Sequence, residues 1–191
     1  MNRVIAYIDG FNLYYGLKSK GWRRYYWLDL HKLALNLLKP HQQLAGVKYF
    51  TARISSPPDP EKQRRQRTYL EAIATLPQTT IFYGHYLPKQ QRCLTCGATW
   101  YSHEAKMTDV NIAVELLCDA SDDLFDTALV VSGDSDLTAP VEAIRRRLPD
   151  KRVVVGFPPG RSSLQLRSVA HAYFSPSGAR SCPRANCRKG W

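Results

Sequence analysis

The chain has 191 residues, 44% hydrophobic and 11% aromatic, enough for one well-filled core with a small appendage. No apolar run approaches the roughly 18 residues that span a bilayer, and Asp9 interrupts the early apolar run of MNRVIAYIDGF, which argues against a signal-peptide core; a soluble, cytoplasmic protein is expected. The formal charge of +11 is uneven: residues 107–144 hold nine Asp/Glu and no Lys/Arg, while 1–106 and 145–191 hold 16 and 11 Lys/Arg, a pattern suited to a cation-gathering site in surroundings that attract a polyanion.

In chain order the pattern alternates. Strand 3–8 (RVIAYI) precedes helix 28–38, strand 46–54 precedes helix 61–75, and strand 79–84 precedes helix 108–118. Strand 127–132, helix 137–148, strand 152–157 and helix 163–170 follow. The strands are short, β-branched or aromatic, and bounded by turn formers, as buried strands of a parallel sheet are. The alternation predicts an α/β fold, a doubly wound, mainly parallel sheet with helices on both faces and functional loops at the carboxyl ends of its strands. No internal repeat or low-complexity linker interrupts it, so residues 1–174 are expected to form one domain. Two segments stand outside the pattern: 85–103 (HYLPKQQRCLTCGATWYSH), read as an insertion, and the basic tail 175–191, read as packing on it.

The chemistry-bearing residues fall at predicted strand ends. Asp9 follows the first strand and precedes Gly10, with Asn12 three residues on. In LVVSGDSDLTAP the apolar strand stops at Ser132, Gly133 turns the chain, and Asp134 and Asp136 meet the crevice. Asp136 equally suits the N-cap of a helix beginning at Leu137, with Pro140 tolerated in its first turn. In KMTDVNIAVELL, Thr108 suits an N-cap, and Asp109 shares a helical face with Ile112, Ala113 and Leu116, although an aspartate in a first turn also serves simply as a dipole partner. Carboxylates converging without a nearby Lys or Arg call for hard divalent ions, Mg²⁺ or Mn²⁺. Such ions activate water and clamp phosphodiester oxygens, which points to metal-dependent hydrolysis of a nucleic-acid backbone.

Taken together, YIDGFNLYYG, KMTDVNIAVELL and ALVVSGDSDLTAPVEAI closely resemble the NYN domain, a LabA-like branch of the PIN-like nucleases, over roughly residues 3–174. The resemblance implies a PIN-like α/β sandwich and a Mg²⁺- or Mn²⁺-dependent endoribonuclease site. By it, Asp9, Asp109, Asp134 and Asp136 match the acidic metal-binding positions, Asn12 matches the polar residue of the first block, and Ser132 and Thr108 are supporting hydroxyls.

RNA is the expected partner, with DNA not distinguished by sequence. Phosphate contacts are expected from Arg64, Arg65 and Arg67 on one helix and from Arg23 and Arg24 in GWRRYYWL, where Trp22, Tyr25, Tyr26 and Trp27 either stack on unpaired bases or belong to the core. Lys106 either contacts phosphate, balances the acidic cluster, or is a solvated lysine. Cys93 and Cys96, with Cys182 and Cys187, suit a structural Zn²⁺ site tying tail to insertion, with His85 and His103 as alternative ligands; Cys118 reads as core. Two rivals are a non-catalytic RNA-binding module of the same fold and a haloacid-dehalogenase-type phosphatase. The latter needs a second acid two residues after its nucleophilic Asp, where this chain has Phe11.

Overall fold

The computed structural model describes residues 1–54 and 60–175. Seven strands form one sheet: β1 (Asn2–Asp9), β2 (Gln42–Ala52), β3 (Thr79–Arg92), β4 (Thr99–Lys106), β5 (Thr127–Val131), β6 (Arg152–Gly156) and β7 (Ala172–Phe174). The helices are α1 (Gly10–Ser19), α2 (Leu30–Asn36), α3 (Pro60–Ala74), α4 (Thr108–Ser121), α5 (Thr138–Arg147) and α6 (Leu164–Val169), with 3₁₀ turns at Arg23–Tyr25 and Ser135–Leu137. The strand order is β4-β3-β2-β1-β5-β6-β7, and every pairing is parallel except β3 with β4. The chain winds outward from β1 through β2 and β3, then returns to lay β5 on the other side of β1. The topological switch point, where ligands of such sheets bind, therefore lies between the carboxyl ends of β1 and β5.

Side chains of a strand alternate between faces, and β1 separates two cores. Ile5 and Tyr7 pack with Phe50 against Ile112 and Leu116 of α4, Val141 and Ile144 of α5, and Leu166 of α6. Val4, Ala6 and Ile8 pack against Leu30 and Ala34 of α2 and Leu70 and Ile73 of α3. By parity Asp9 belongs to the α4 side, and the register places it beside Phe50 of β2.

The core on that side contains a charged cluster. Lys48 Nζ donates to Glu115 at 2.6 Å and to Asp119 Oδ1 at 2.8 Å, and the Tyr7 hydroxyl donates to Asp119 Oδ2 at 2.5 Å. Burial pushes the Lys48 ammonium down, but the two carboxylates override it and leave it raised. Burial, then the Asp119 hydrogen bond, pushes the Tyr7 phenol well up.

Several expectations need correcting. Segment 85–103 does not stand apart from the sheet: β3 runs on to Arg92 and pairs antiparallel with β4, His85 opposite Lys106 and Pro88 opposite His103. Proline and the polar KQQR concealed a strand whose backbone is satisfied by its hairpin partner. Helix α1 and strand β7 were not anticipated. Thr108 does not cap α4; the chain enters the helix through Met107 at φ 69°, so Thr108 is already helical. Cys118 is exposed rather than buried, because the inward stripe runs through Ile112, Leu116, Asp119 and Ala120 and position 118 falls on the opposite side. Asp136 caps nothing; the side chain that caps the 3₁₀ turn is Asp134, accepting from the Asp136 amide at 3.1 Å. Among the described residues no helix is long and apolar enough to cross a membrane.

Candidate functional site

Asp9 ends β1 and caps α1. Its extended backbone, φ −75° and ψ 105°, lets Oδ1 accept the Asn12 amide at 3.0 Å, satisfying a donor that the first helical turn leaves unpaired. Helix α1 can start there because Gly10 lacks a Cβ: one built at that position lies 2.5 Å from Tyr49 Oη and 2.8 Å from the Phe50 carbonyl oxygen. Oδ2 of Asp9 accepts the Ser132 hydroxyl at 2.9 Å, and the same hydroxyl oxygen accepts the Asp134 amide at 3.1 Å. Asn12 completes the link by accepting the Gly133 amide through Oδ1 at 3.0 Å. The first and third motif blocks, more than 120 residues apart in sequence, are thus joined across the switch point by two hydrogen bonds, Ser132 to Asp9 and Gly133 to Asn12, each block being tightened by one local bond of its own.

Asp9 is 7% exposed. Burial raises its carboxyl above the ordinary carboxylate range; the Asn12 amide and Ser132 hydroxyl pull it back, and the negative charge of Asp134 raises it again. Among the described residues no Lys or Arg forms an ion pair with Asp9, Asp109, Asp134 or Asp136. Asp134 is half-buried beside Asp9, Asp136 is exposed, and Asp109 is half-buried in the first turn of α4. Helix α4 begins beside Gly84, which pairs with Ala52 at the carboxyl end of β2, so Asp109 in its first turn lies at the same end of the sheet. Among the described residues, however, no three His, Cys, Asp or Glu side chains are grouped closely enough to hold a metal ion by themselves.

The basic residues divide. Arg23 and Arg65 line one cavity, Arg64 and Arg67 another, and Arg24 lies over the Tyr25 ring at 4.7 Å. Arg64 and Arg67 approach Glu61 and Glu71, each at 3.7 Å. Lys106 is exposed at the end of β4, just before α4. Arg161 was missed by sequence reasoning: its Cβ lies 2.9 Å from where a Gly133 Cβ would be, bringing a cationic residue against the acidic turn. The only sequence signal was the turn-forming FPPGR that carries it.

Cys93 and Cys96 sit in the turn of the β3–β4 hairpin, where the Cys93 amide donates to the Ala98 carbonyl at 2.8 Å. The Cys96 and Thr95 amides, aimed at the Cys93 sulfur, bring its thiol down to about 7. Cys182 and Cys187 lie outside the described residues.

The model of the NYN domain matches residues 3–178. Over 190 residues the chain is 28% identical to the 6-hydroxy-3-succinoylpyridine 3-monooxygenase HspA of Pseudomonas putida, a match covering 82% of this chain and 59% of that protein. The crystal structure of a Vibrio parahaemolyticus protein of unknown function superposes with a TM-score of 0.56 at 22% identity, covering 92% of this chain and 93% of the other.

Proposed function

Because the chain belongs to the NYN domain family, whose members have a PIN-like, nuclease-like fold, we propose that its acidic crevice is the centre of a divalent-metal-dependent endoribonuclease. One observation carries the reading. Asp9 is a buried carboxylate at the switch point, bonded to an amide and a hydroxyl, with a second carboxylate beside it and no Lys or Arg paired to it among the described residues. Burying such a group is costly without a compensating cation.

The donor set fits Mg²⁺ or Mn²⁺. Mg²⁺ is commonly held by one or two carboxylates and completes its shell with water and substrate phosphate, so the lack of a preformed three-residue cage is compatible with it. Asp9 and Asp134 would hold the ion, with Asp109 and Asp136 supplying charge from the same edge. When bound, the ion supplies Lewis-acid charge and a water activated for attack on phosphorus. The protein's own part is positioning. Ser132 fixes the separation of Asp9 from the Asp134 backbone, and Asn12 locks the turn at Gly133 to α1, so the two carboxylates cannot drift apart. Arg161, packed against Gly133, and Lys106 would contact phosphate near the crevice, and Arg23, Arg24, Arg64, Arg65 and Arg67 would extend the basic surface for an RNA strand. A structural Zn²⁺ on Cys93 and Cys96, with Cys182 and Cys187, belongs to the same proposal.

A second reading has its own support: the described carboxylates do not form a three-ligand group, as expected of an RNA-binding module that keeps the fold without turnover. Labelled single-stranded RNA, incubated with the protein in Mn²⁺, Mg²⁺ or EDTA beside Asp134→Asn, separates the two. The nuclease reading predicts cleavage only with divalent ion, reduced roughly 100-fold or more in the variant. Equal RNA binding by both proteins with cleavage by neither gives the module reading its place.

A further inference from the structure

Between α1, the 3₁₀ turn Arg23–Tyr25 and α3 lies a cavity of about 560 Å³, inside the roughly 300–1,000 Å³ typical of small-ligand sites. Tyr14, Tyr25, Tyr26, Trp27, Tyr49 and Tyr69 line it. The Tyr14 and Tyr26 rings meet at 5.2 Å, and Trp27 stands edge-on to Tyr69 at 5.9 Å. These aromatics do not simply fill the core. Tyr49 is buried at the floor, Tyr14, Tyr25 and Tyr26 are half-buried, and Trp27 is 54% exposed at the mouth.

The polar lining is one-sided in charge. Lys18, Arg23, Lys62 and Arg65 contribute to it, and among the described residues no Asp or Glu does. Aromatic faces accept a flat ring without regard to its hydrogen-bonding edge, while a described lining that carries cationic side chains and no acidic one favours a ligand that also carries negative charge. A nucleobase with its attached phosphate has both properties. The place matters as much as the composition. Gly10, the residue after Asp9, lines the floor, and the space its missing Cβ leaves is occupied by the Tyr49 ring. The cavity thus opens at the same end of β1 as the acidic centre, on the opposite face of the sheet.

We propose that this cavity is a subsite for one unpaired nucleotide of a single-stranded RNA, its base against the tyrosine and tryptophan rings and its phosphate among Lys18, Arg23, Lys62 and Arg65. The choice of RNA rests on the function proposed above; the subsite itself does not require turnover. A duplex keeps its bases stacked and paired, so it cannot present one to the rings, whereas a strand threading the acidic crevice can turn one out.

The test is equilibrium binding in EDTA. Three probes are used: a fluorescein-labelled single-stranded oligoribonucleotide, the duplex of the same sequence, and adenosine monophosphate as an unlabelled competitor. Trp27→Ala and Arg23→Gln change exposed residues, and their thermal midpoints are measured alongside. The expected result is single-strand affinity lowered roughly ten-fold in each, restored in Trp27→Phe, with midpoints unchanged, duplex affinity unchanged in Trp27→Ala, and the mononucleotide competing only far above the oligonucleotide's dissociation constant. Wild-type single-strand affinity in folded Trp27→Ala and Arg23→Gln overturns the proposal. So does a mononucleotide that binds as tightly as the strand, which makes the cavity a free-nucleotide site. The two readings fail separately. Cleavage that persists in Asp134→Asn removes the nuclease centre while weakened binding by Trp27→Ala keeps the subsite, and the reverse pair of results does the opposite.

Discussion

Heated in EDTA at pH 8, Asp9→Asn is expected to unfold at a higher temperature than the wild-type protein. In the wild type the carboxylate is buried beside Asp134, and its carboxyl is raised by that burial. Asparagine keeps the acceptor for the Asn12 amide and removes the buried charge. Relieving a strained functional position commonly contributes 0.5–2 kcal/mol, about a few degrees for a chain of this size. The sign with pH follows from linkage. A carboxyl whose folded value lies above its unfolded value, about 3.9 for Asp, contributes stability that is fully present below the unfolded value and is lost as pH rises through the folded value. The advantage of Asp9→Asn is therefore largest above the folded value and shrinks on acidification. Asp126 moves the other way: the Arg3 guanidinium and amide hold its carboxyl at about 2, so its contribution is lost only as pH falls through that value. It is common to both proteins and cancels in the difference. On the proposed reading, adding Mn²⁺ is expected to reverse the order, since an ion that binds only the folded wild type would stabilise it by mass action. Calorimetric scans of both proteins at pH 5 and pH 8, with EDTA or Mn²⁺, check all of this. A less stable Asp9→Asn in EDTA at pH 8 would mean that the carboxylate is held by a favourable pairing, and the proposed metal site would lose its support.

Lys48→Met is expected to be the most damaging single change in the core. It leaves Asp119, with 5% of its side chain exposed, and Glu115, at 29%, facing each other without the ammonium between them. Removing one partner of a buried ionic cluster costs about 3–5 kcal/mol, a large share of the 5–15 kcal/mol that holds a typical domain together. Combining Lys48→Met with Asp119→Asn and Glu115→Gln should recover most of the loss, because the penalty is the orphaned charge rather than the missing pair, and asparagine keeps an acceptor for the Tyr7 hydroxyl. Lys48 is raised in the folded state, so its contribution is fully present below about pH 10.4 and is lost as pH climbs through the folded value. Urea titrations of the single and triple variants at neutral and alkaline pH measure these effects; a single-variant loss below about 1 kcal/mol contradicts the account.

The parts legible in sequence were those encoded locally. An apolar β-branched run ending in Asp-Gly or Ser-Gly-Asp announces both a buried strand and what stands at its carboxyl end, so β1, β5, Asp9 and Asp134 were readable, and Asn12 with them. Spacing fixes the inward stripe of α4 through Ile112 and Leu116. What depended on contacts between distant segments was not readable. Lys48 in β2 looked like any strand lysine until Glu115 and Asp119 met it, about 70 residues away. Arg23 and Arg65 gave no sign of sharing a cavity that Arg64 and Arg67 do not line. Local chemistry also misled where backbone geometry decided the cap: a threonine before Asp109 reads as one, but a left-handed Met107 starts the helix instead.

On the reading proposed above, water activated at the Asp9–Asp134 crevice attacks the RNA phosphodiester. The most direct measurement is cleavage of a defined single-stranded RNA with Mn²⁺ in ¹⁸O-enriched water, with the product ends resolved by mass spectrometry. The account predicts one ¹⁸O in the new terminal phosphate, no 2′,3′-cyclic phosphate, and no such product in EDTA or from Asp134→Asn. Ends bearing a 2′,3′-cyclic phosphate, or cleavage undiminished by EDTA and by Asp134→Asn, would show that the ribose hydroxyl or another centre does the chemistry, and would contradict it.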